Sequence, residues 1–252
     1  MTNKCKNVLF TACAVLFWIS LWEILSLIVD NAYLLPGVFD TFEALFEILS
    51  KSKFYLSLLA TLLRVFLGFS LSVITGSLLA FLSYKYKIVY KMLSPLISVM
   101  KSTPVASFAL LLWVVLSGNA HTVTIAFLMV MPIVFQNLYD GFNSISPELS
   151  ELCDVFEFSF KKRMKHLVLP TLFSYFIPAV ISGTGFAWKA GIAAEIIGYT
   201  ANSIGEWIND SRQNYDTASI FALTLVIILL SVIIEKLIKF LLTKARERSL
   251  YI

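Results

Sequence analysis

Six runs of apolar residues separated by short charged clusters set the pattern of the chain. They are Val8 to Val29, Leu62 to Leu82, Pro104 to Leu116 with an approach from Leu93, Thr122 to Tyr139, Leu172 to Ile197, and Ala218 to Phe240. Most are long enough to cross about 30 Å of hydrocarbon as helices. The third is interrupted by Pro95 and Pro104, so its first part reads as an interfacial segment. Counted as a span it makes six, and an even number keeps both termini on one side. The apolar positions are continuous and do not alternate with polar faces, which excludes a soluble core. The pattern predicts an all-α integral membrane protein, with residues 1–252 forming one transmembrane domain.

Two polar stretches between the runs carry helical periodicity of their own. Asp40-Thr41-Phe42-Glu43 has the form of an N-cap with a reciprocal acid three residues on, and Phe42, Leu45, Phe46 and Leu49 then share one face. A short amphipathic helix over about residues 40–50, lying on the outer membrane surface, is expected. The second stretch, residues 147–170, reads PELSELCDVFEFSFKKRMKHLVLP. Ser146 caps a helix with Pro147 at its first position, and Leu149, Leu152, Cys153 and Phe156 share a face away from Glu148, Glu151 and Asp154. A second short helix starts after Ser159 and places Phe160, Met164 and Leu167 at helical spacing, before Leu169 and Pro170 open the fifth span. The stretch therefore predicts a helix-turn-helix protruding from the membrane.

Composition agrees with the pattern: 58% of residues are hydrophobic, 14% are charged, and the mean hydropathy is +0.82. The net charge of +4 does not indicate nucleic acid, because the basic residues form clusters between spans. Fourteen of the 20 Lys and Arg (Lys4 and Lys6; Lys85, Lys87 and Lys91; Lys161 to Lys165; Lys236 to Arg248) fall on one side. Three, Lys51, Lys53 and Arg212, fall on the other. The positive-inside rule then places both termini and residues 147–170 in the cytoplasm. Lys4 and Lys6 ahead of the first run resemble a signal sequence, but no small-x-small cleavage site follows, so an uncleaved first span is expected. Cys5, Cys13 and Cys153 show no metal or disulfide spacing. His121 and His166 have neither metal-site spacing nor a Ser and Asp arrangement. No Gly-x-x-x-x-Gly-Lys-Ser/Thr loop occurs, so the chain does not hold ATP phosphates in that way and an enzyme reading has no residues to rest on.

Ionisable residues within spans are expensive and mark function by default. Glu195 follows Ala187 and Gly191 at steps of four, in line with small residues that let another helix approach closely. It fits either a place on a translocation path or a pairing with a neighbouring span. Lys189 points elsewhere on the same helix and is a second path candidate. Arg64 and Lys101 read as residues near span ends whose cations snorkel to the interface. Glu23, beside Trp22 in the first span, has no evident partner.

The 147–170 stretch resembles the cytoplasmic signature of the membrane subunits of ATP-binding-cassette importers: Glu-Ala-Ala, three residues, Gly, nine residues, Ile-x-Leu-Pro. Glu151-Leu152-Cys153 stands for the first triplet, and Leu167-Val168-Leu169-Pro170 closes the pattern in register. Glu157 departs from it by occupying the glycine, where a non-glycine residue in a left-handed turn costs about 1–2 kcal/mol; the residue tolerates that cost or the turn is shifted. Thr61 to Gly68 followed by Gly76, Lys101 to Phe108, and Ala187 to Gly198 are similar to the nitrate, sulfonate, taurine and bicarbonate branch of these permeases.

The resemblance implies a type I importer fold in a bacterial cell membrane, a homodimer around one path, two cytoplasmic P-loop ATPase subunits that bind the Mg-ATP, and an extracytoplasmic solute-binding protein. It implies no cofactor in this chain. The solute would be a small anion or a vitamin-precursor-like molecule. Leu149, Glu151, Leu152, Cys153, Phe156, Glu157, Leu169 and Pro170 become the ATPase-coupling residues. Leu149, Leu152, Cys153 and Phe156 would seat the helix against both its own domain and the ATPase, and Glu151 would make a charged contact. The outer loop from Tyr199 to Asp216 and the segment around Leu35-Pro36-Gly37 fit binding-protein docking and ordinary solvated connections equally. Competing readings are an ion-coupled secondary transporter using Glu195 or Glu23, and a non-transporting membrane scaffold.

Overall fold

The computed structural model describes residues 3–116 and 118–251. Among them the chain forms α1 (Asn3–Val29), α2 (Val38–Ser50), α3 (Ser52–Lys85), α4 (Lys87–Ser102), α5 (Val105–Trp113), α6 (Asn119–Asn143), α7 (Pro147–Val155), α8 (Phe160–Arg163), α9 (Leu169–Ile197), α10 (Ile204–Gln213) and α11 (Thr217–Tyr251), with no strand. Five stretches are long and apolar enough to span a bilayer: Leu9–Val29, Ser52–Lys85, Asn119–Asn143, Phe160–Ile197 and Thr217–Arg246. The sixth expected span is α4 with α5, bent by 100°. Pro95 does not contribute to that break, since it lies inside α4. Pro104 does, because a residue before proline is steered away from the helical region, and Thr103 sits at φ −80, ψ 127.

The centre of the bundle is α3, α6 and α9, brought together by small residues. Gly68, Ser72, Gly76 and Ala80 recur every four positions along one face of α3 and are all buried. A Cβ on Gly68 would lie 2.5 Å from the Val123 carbonyl oxygen and 2.8 Å from Ala126 Cβ, so the α3 and α6 backbones are nearly touching. Ser72 Oγ donates to the Phe127 carbonyl at 2.9 Å across the same contact. Gly191 does for α9 what Gly68 does for α3: a Cβ there would meet Val65 Cγ2 at 2.5 Å. Lipid supplies no hydrophobic drive between helices, so this close packing and the interhelical hydrogen bonds carry the association. Trp188, fully buried in α9, adds α11 by donating its Nε1–H to the Ile227 carbonyl at 3.0 Å.

Helix α1 is peripheral: none of its apolar window is buried within the chain. Its C-terminal end is tied to the following segment by Trp22 Nε1–H to the Pro36 carbonyl at 3.1 Å and Ser26 Oγ to the Leu35 carbonyl at 2.9 Å. Glu23, unassigned from sequence, accepts the Val38 N–H at 2.7 Å. Its carboxylate thus sits at the positive end of α2, which is a structural role. α2 itself begins earlier than expected. Gly37 is its N-cap and Asp40 is the reciprocal acid, accepting the Gly37 N–H at 3.3 Å. Its buried face is Thr41, Ala44 and Ile48, packed on α11 near Phe54, Ala222 and Leu223. Phe42 and Phe46, expected to share one apolar face with Leu45 and Leu49, are exposed within the chain together with Phe39.

The expected outer loop from Tyr199 to Asp216 contains a helix. Ser203 caps α10 by accepting the Glu206 N–H at 2.9 Å, a sequence-readable cap that the polar composition of the segment obscured.

Candidate functional site

The 147–170 stretch folds as its pattern predicts at the start. Ser146 Oγ accepts the Leu149 N–H at 3.2 Å and Pro147 occupies the first position of α7. The Ser146 hydroxyl also donates to the Glu148 carboxylate, which holds that carboxyl below its ordinary range. α7 ends in a reciprocal pair of bonds: the Phe158 N–H reaches the Cys153 carbonyl at 2.9 Å and the Glu157 N–H the Asp154 carbonyl at 3.1 Å. That is a Schellman termination, whose left-handed residue is usually glycine. Glu157 holds it here with φ 49, so the turn is not shifted and the residue bears the strain. Glu157→Gly is expected to stabilise the protein by up to about 1 kcal/mol, read as a rise of about 2–4 °C in the unfolding midpoint in detergent. An unchanged or lower midpoint contradicts this.

Asp154 and Ser150, one turn apart on α7, both take the guanidinium of Arg163: Nη1 donates to Asp154 Oδ1 at 2.7 Å and Nη2 to Ser150 Oγ. This half-exposed pair is worth little as stability but fixes the angle between α7 and α8. The second helix of the stretch is not a separate unit ending at Leu169. From Phe160 the chain runs as one helix to Ile197, through a π-helical turn over Met164–Val168 in which the Leu169 N–H reaches the Met164 carbonyl. Pro170 has no N–H to give, and the π turn ahead of it rearranges the neighbouring bonds. The part of the stretch from Phe160 onward and the fifth expected span are therefore one continuous helix.

The expected apolar face of α7 divides. Cys153 is buried, whereas Leu149, Leu152 and Phe156 are more than half exposed, along with Val155 and Phe160. Of the four only Cys153 is buried, so the expected seating of Leu149, Leu152 and Phe156 against the chain's own domain is corrected: within the chain those side chains are exposed. Glu151 and Glu157 are exposed beside them; Leu169 is exposed and Pro170 half-buried.

Glu195 is fully buried and does not face open space. Its Oε1 accepts from Arg64 Nη1 at 3.0 Å, and its Oε2 from Thr61 Oγ1 at 2.8 Å and the Gly205 N–H at 3.4 Å. Of the two places open to it from sequence, the geometry gives the pairing with a neighbouring span. Arg64 does not snorkel: it is 8% exposed and donates to Asn119 Oδ1 at 2.7 Å and to the carbonyls of Ala201 and Asn202 at 3.2 Å. Neither Thr61 nor Asn119 was recognised from sequence as a partner of these charges, because neither residue type is unusual in a membrane helix.

Lys101 lies at the α4–α5 break, beside a cavity of about 380 Å³ lined also by Ser102, Thr103, Met129, Pro132 and Phe186. Pro132 is midway along α6, so Lys101 shares a cavity with the middle of that helix and not with its end, where a snorkelling cation is expected. Lys189, one turn from Phe186 on α9, is exposed. Among the described residues neither lysine has a hydrogen bond or ion pair. Ser174, Pro178 and Ser182 are exposed on the same face of α9. One carboxylate borders it: Glu235 of α11 lies over Gly185, where a Cβ would come 2.4 Å from its Oε1. Glu235 was overlooked as an acid inside the last apolar run.

Comparison with known proteins gives this geometry a family. Over 207 residues the chain is 24% identical to the putative aliphatic sulfonates transport permease protein SsuC of Bacillus subtilis, covering 81% of this chain and 74% of that one. It is 27% identical over 199 residues to the nitrate import permease protein NrtB of Synechococcus elongatus, covering 75% and 71%. With the bicarbonate transport system permease protein CmpB of the same organism, identity is 26% over 234 residues, covering 87% and 83%. A solved amino acid ABC transporter chain superposes with a TM-score of 0.59 over 76% of this chain and 92% of its own, at 19% identity; that likeness bears on the fold. Residues 72–247 match the family described as the binding-protein-dependent transport system inner membrane component. The chain belongs to that family, as a multi-pass permease component of the bacterial inner membrane.

Proposed function

We propose that the chain is the membrane-spanning subunit of an ATP-driven importer for a small anion, with both termini in the cytoplasm. Two copies enclose one path, a separate cytoplasmic P-loop ATPase binds and hydrolyses Mg-ATP, and an extracytoplasmic binding protein delivers the solute. The observation that carries this reading is the exposed surface of α7 and α8, with α8 continuous with the fifth span. Leu149, Leu152, Val155, Phe156 and Phe160 form an apolar patch edged by Glu151, of the kind that marks a protein interface. ATPase motion at that patch moves α8, and α8 cannot move without α9.

The α9 face bearing Lys189 then lines the path, with Lys101 across from it at the break in α4–α5. A lysine facing lipid at mid-depth costs about 2.5–3.5 kcal/mol on insertion scales. A second copy closing over this face removes that cost and leaves a water-filled passage with two lysines and the bordering Glu235 from each copy, a net positive charge. Such a passage favours anions, in keeping with the sulfonate, nitrate and bicarbonate permeases among its relatives. Glu195 is not assigned to the path, since both its oxygens are engaged inside the chain.

The test is uptake into vesicles that hold the chain, its ATPase and its binding protein, with nitrate, bicarbonate and an alkyl sulfonate as labelled solutes. One of these is expected to accumulate only with ATP on the cytoplasmic side. Lys189→Met and Lys101→Met are each expected to lower that uptake by about tenfold, with assembly of the complex unchanged. Accumulation at the wild-type rate by both variants contradicts the path assignment, and accumulation without ATP contradicts the importer reading.

A further inference from the structure

We propose that the buried Arg64–Glu195 pair is a transmission joint: it passes binding-protein docking on α10 to the spans that gate the path. This rests on the importer reading above and assigns a positioning role that reading does not contain.

A buried ion pair is a poor choice for stability alone, because desolvation of both charges offsets most of their attraction and apolar residues of similar volume would hold the helices as well. What distinguishes this pair is how many segments it joins. Arg64 on α3 reaches the start of α6 through Asn119, α9 through Glu195, and the turn before α10 through the carbonyls of Ala201 and Asn202. Glu195 returns a bond to α10 by accepting the Gly205 N–H, and Thr61, which donates to Glu195, accepts the Ile204 N–H at 3.0 Å. The first two amide groups of α10 therefore end on α3 and α9 side chains.

The turn between α9 and α10 is equally constrained. Tyr199 and Asn202 both hold left-handed backbones, φ 46 and φ 51, which are costly for such residues unless their surroundings impose them. Asn209 Nδ2 donates to the Ile196 carbonyl at 2.8 Å and Trp207 Nε1 to Ser57 Oγ at 3.1 Å. A Cβ on Gly205 would come 2.5 Å from Glu195 Cβ, so α10 sits against α9 with no slack. Its outer side shows Asp210, Arg212 and Gln213, all exposed. A displacement applied there reaches α9 at Glu195, and α9 runs unbroken to the exposed α8 surface on the cytoplasmic side.

Arg64→Lys keeps the charge facing Glu195 but loses the planar fork that serves four partners at once. Thr61→Val is nearly isosteric and removes only the hydroxyl. Each variant is reconstituted with the ATPase and binding protein in lipid nanodiscs, and ATP hydrolysis is measured with and without the solute-loaded binding protein. In both, basal hydrolysis and binding-protein affinity are expected to stay within about twofold of wild type, while stimulation falls by about fivefold or more, the range of a lost coupling energy. Full stimulation in both variants overturns the proposal, as does a parallel fall of basal and stimulated rates, which would make the pair a scaffold. A wild-type complex that the binding protein fails to stimulate overturns the importer reading itself, and the joint with it.

Discussion

Valine in place of Gly68 is expected to abolish accumulation of folded protein in the membrane. The α3 and α6 backbones approach closely at Gly68, where what stands closest is backbone: the Val123 carbonyl oxygen at 2.5 Å from an added Cβ, with the Phe127 nitrogen at 3.2 Å. Backbone inside a packed helix pair cannot swing aside as a side chain can, so the helices must separate. Separation also breaks the Ser72–Phe127 hydrogen bond one turn away. A loss of at least about 3 kcal/mol is expected, a large share of ordinary stability. The geometry further predicts an order. Alanine at Gly76, where Val134 Cβ stands at 3.0 Å and the Met131 carbonyl oxygen at 3.1 Å, is less costly than alanine at Gly68, which is severe; valine at Gly68 is not tolerated. Yields of monodisperse protein in detergent read this directly, and equal yields for the three variants contradict the packing account.

Reversal of charge at Glu151 is expected to stop ATP-driven uptake while leaving insertion and folding intact. The side chain is exposed on α7, beside Leu152 and Phe156, and among the described residues makes no hydrogen bond or ion pair that its loss would break. If the patch docks on an ATPase, Glu151→Lys puts a like charge against the group that Glu151 faces. Repulsion of that kind costs at least about 2 kcal/mol, more than tenfold in the assembled complex. Uptake at the wild-type rate, from a variant present at wild-type level, removes α7 from the coupling role.

Much of this architecture is legible in the sequence, and the places where it is not share physical causes. Run length and charge clusters give the spans, because lipid forces backbone hydrogen bonds to close within each helix. The α7 start is readable from Ser146 and Pro147, and its end is readable from the register of the signature even though Glu157 replaces the glycine. The continuity of α8 with α9 is not readable: Pro170 signals a break, and a π turn absorbs it. Which lysine or arginine is buried is equally hidden. Arg64 and Lys101 look alike as single cations near the edges of apolar runs, yet one is enclosed by groups from α3, α6, α9 and the α10 turn, and the other borders a cavity beside the middle of α6. The difference lies in partners distant in sequence, Asn119 and Glu195 for Arg64. For α2 the helical period is correctly read, but its face is set by α11, which takes Thr41, Ala44 and Ile48 in preference to the larger phenylalanines.

The central claim is that this chain is driven by a separate ATPase seated on the α7–α8 surface. It is tested most directly by purifying the tagged protein from its own cells in mild detergent, identifying what accompanies it by mass spectrometry, and repeating this with Glu151→Lys and Phe156→Ala combined. The account predicts a stoichiometric P-loop ATPase with the wild-type chain and its loss from the double variant at equal yield. A chain that purifies with no ATPase and still moves solute in vesicles lacking ATP would contradict it.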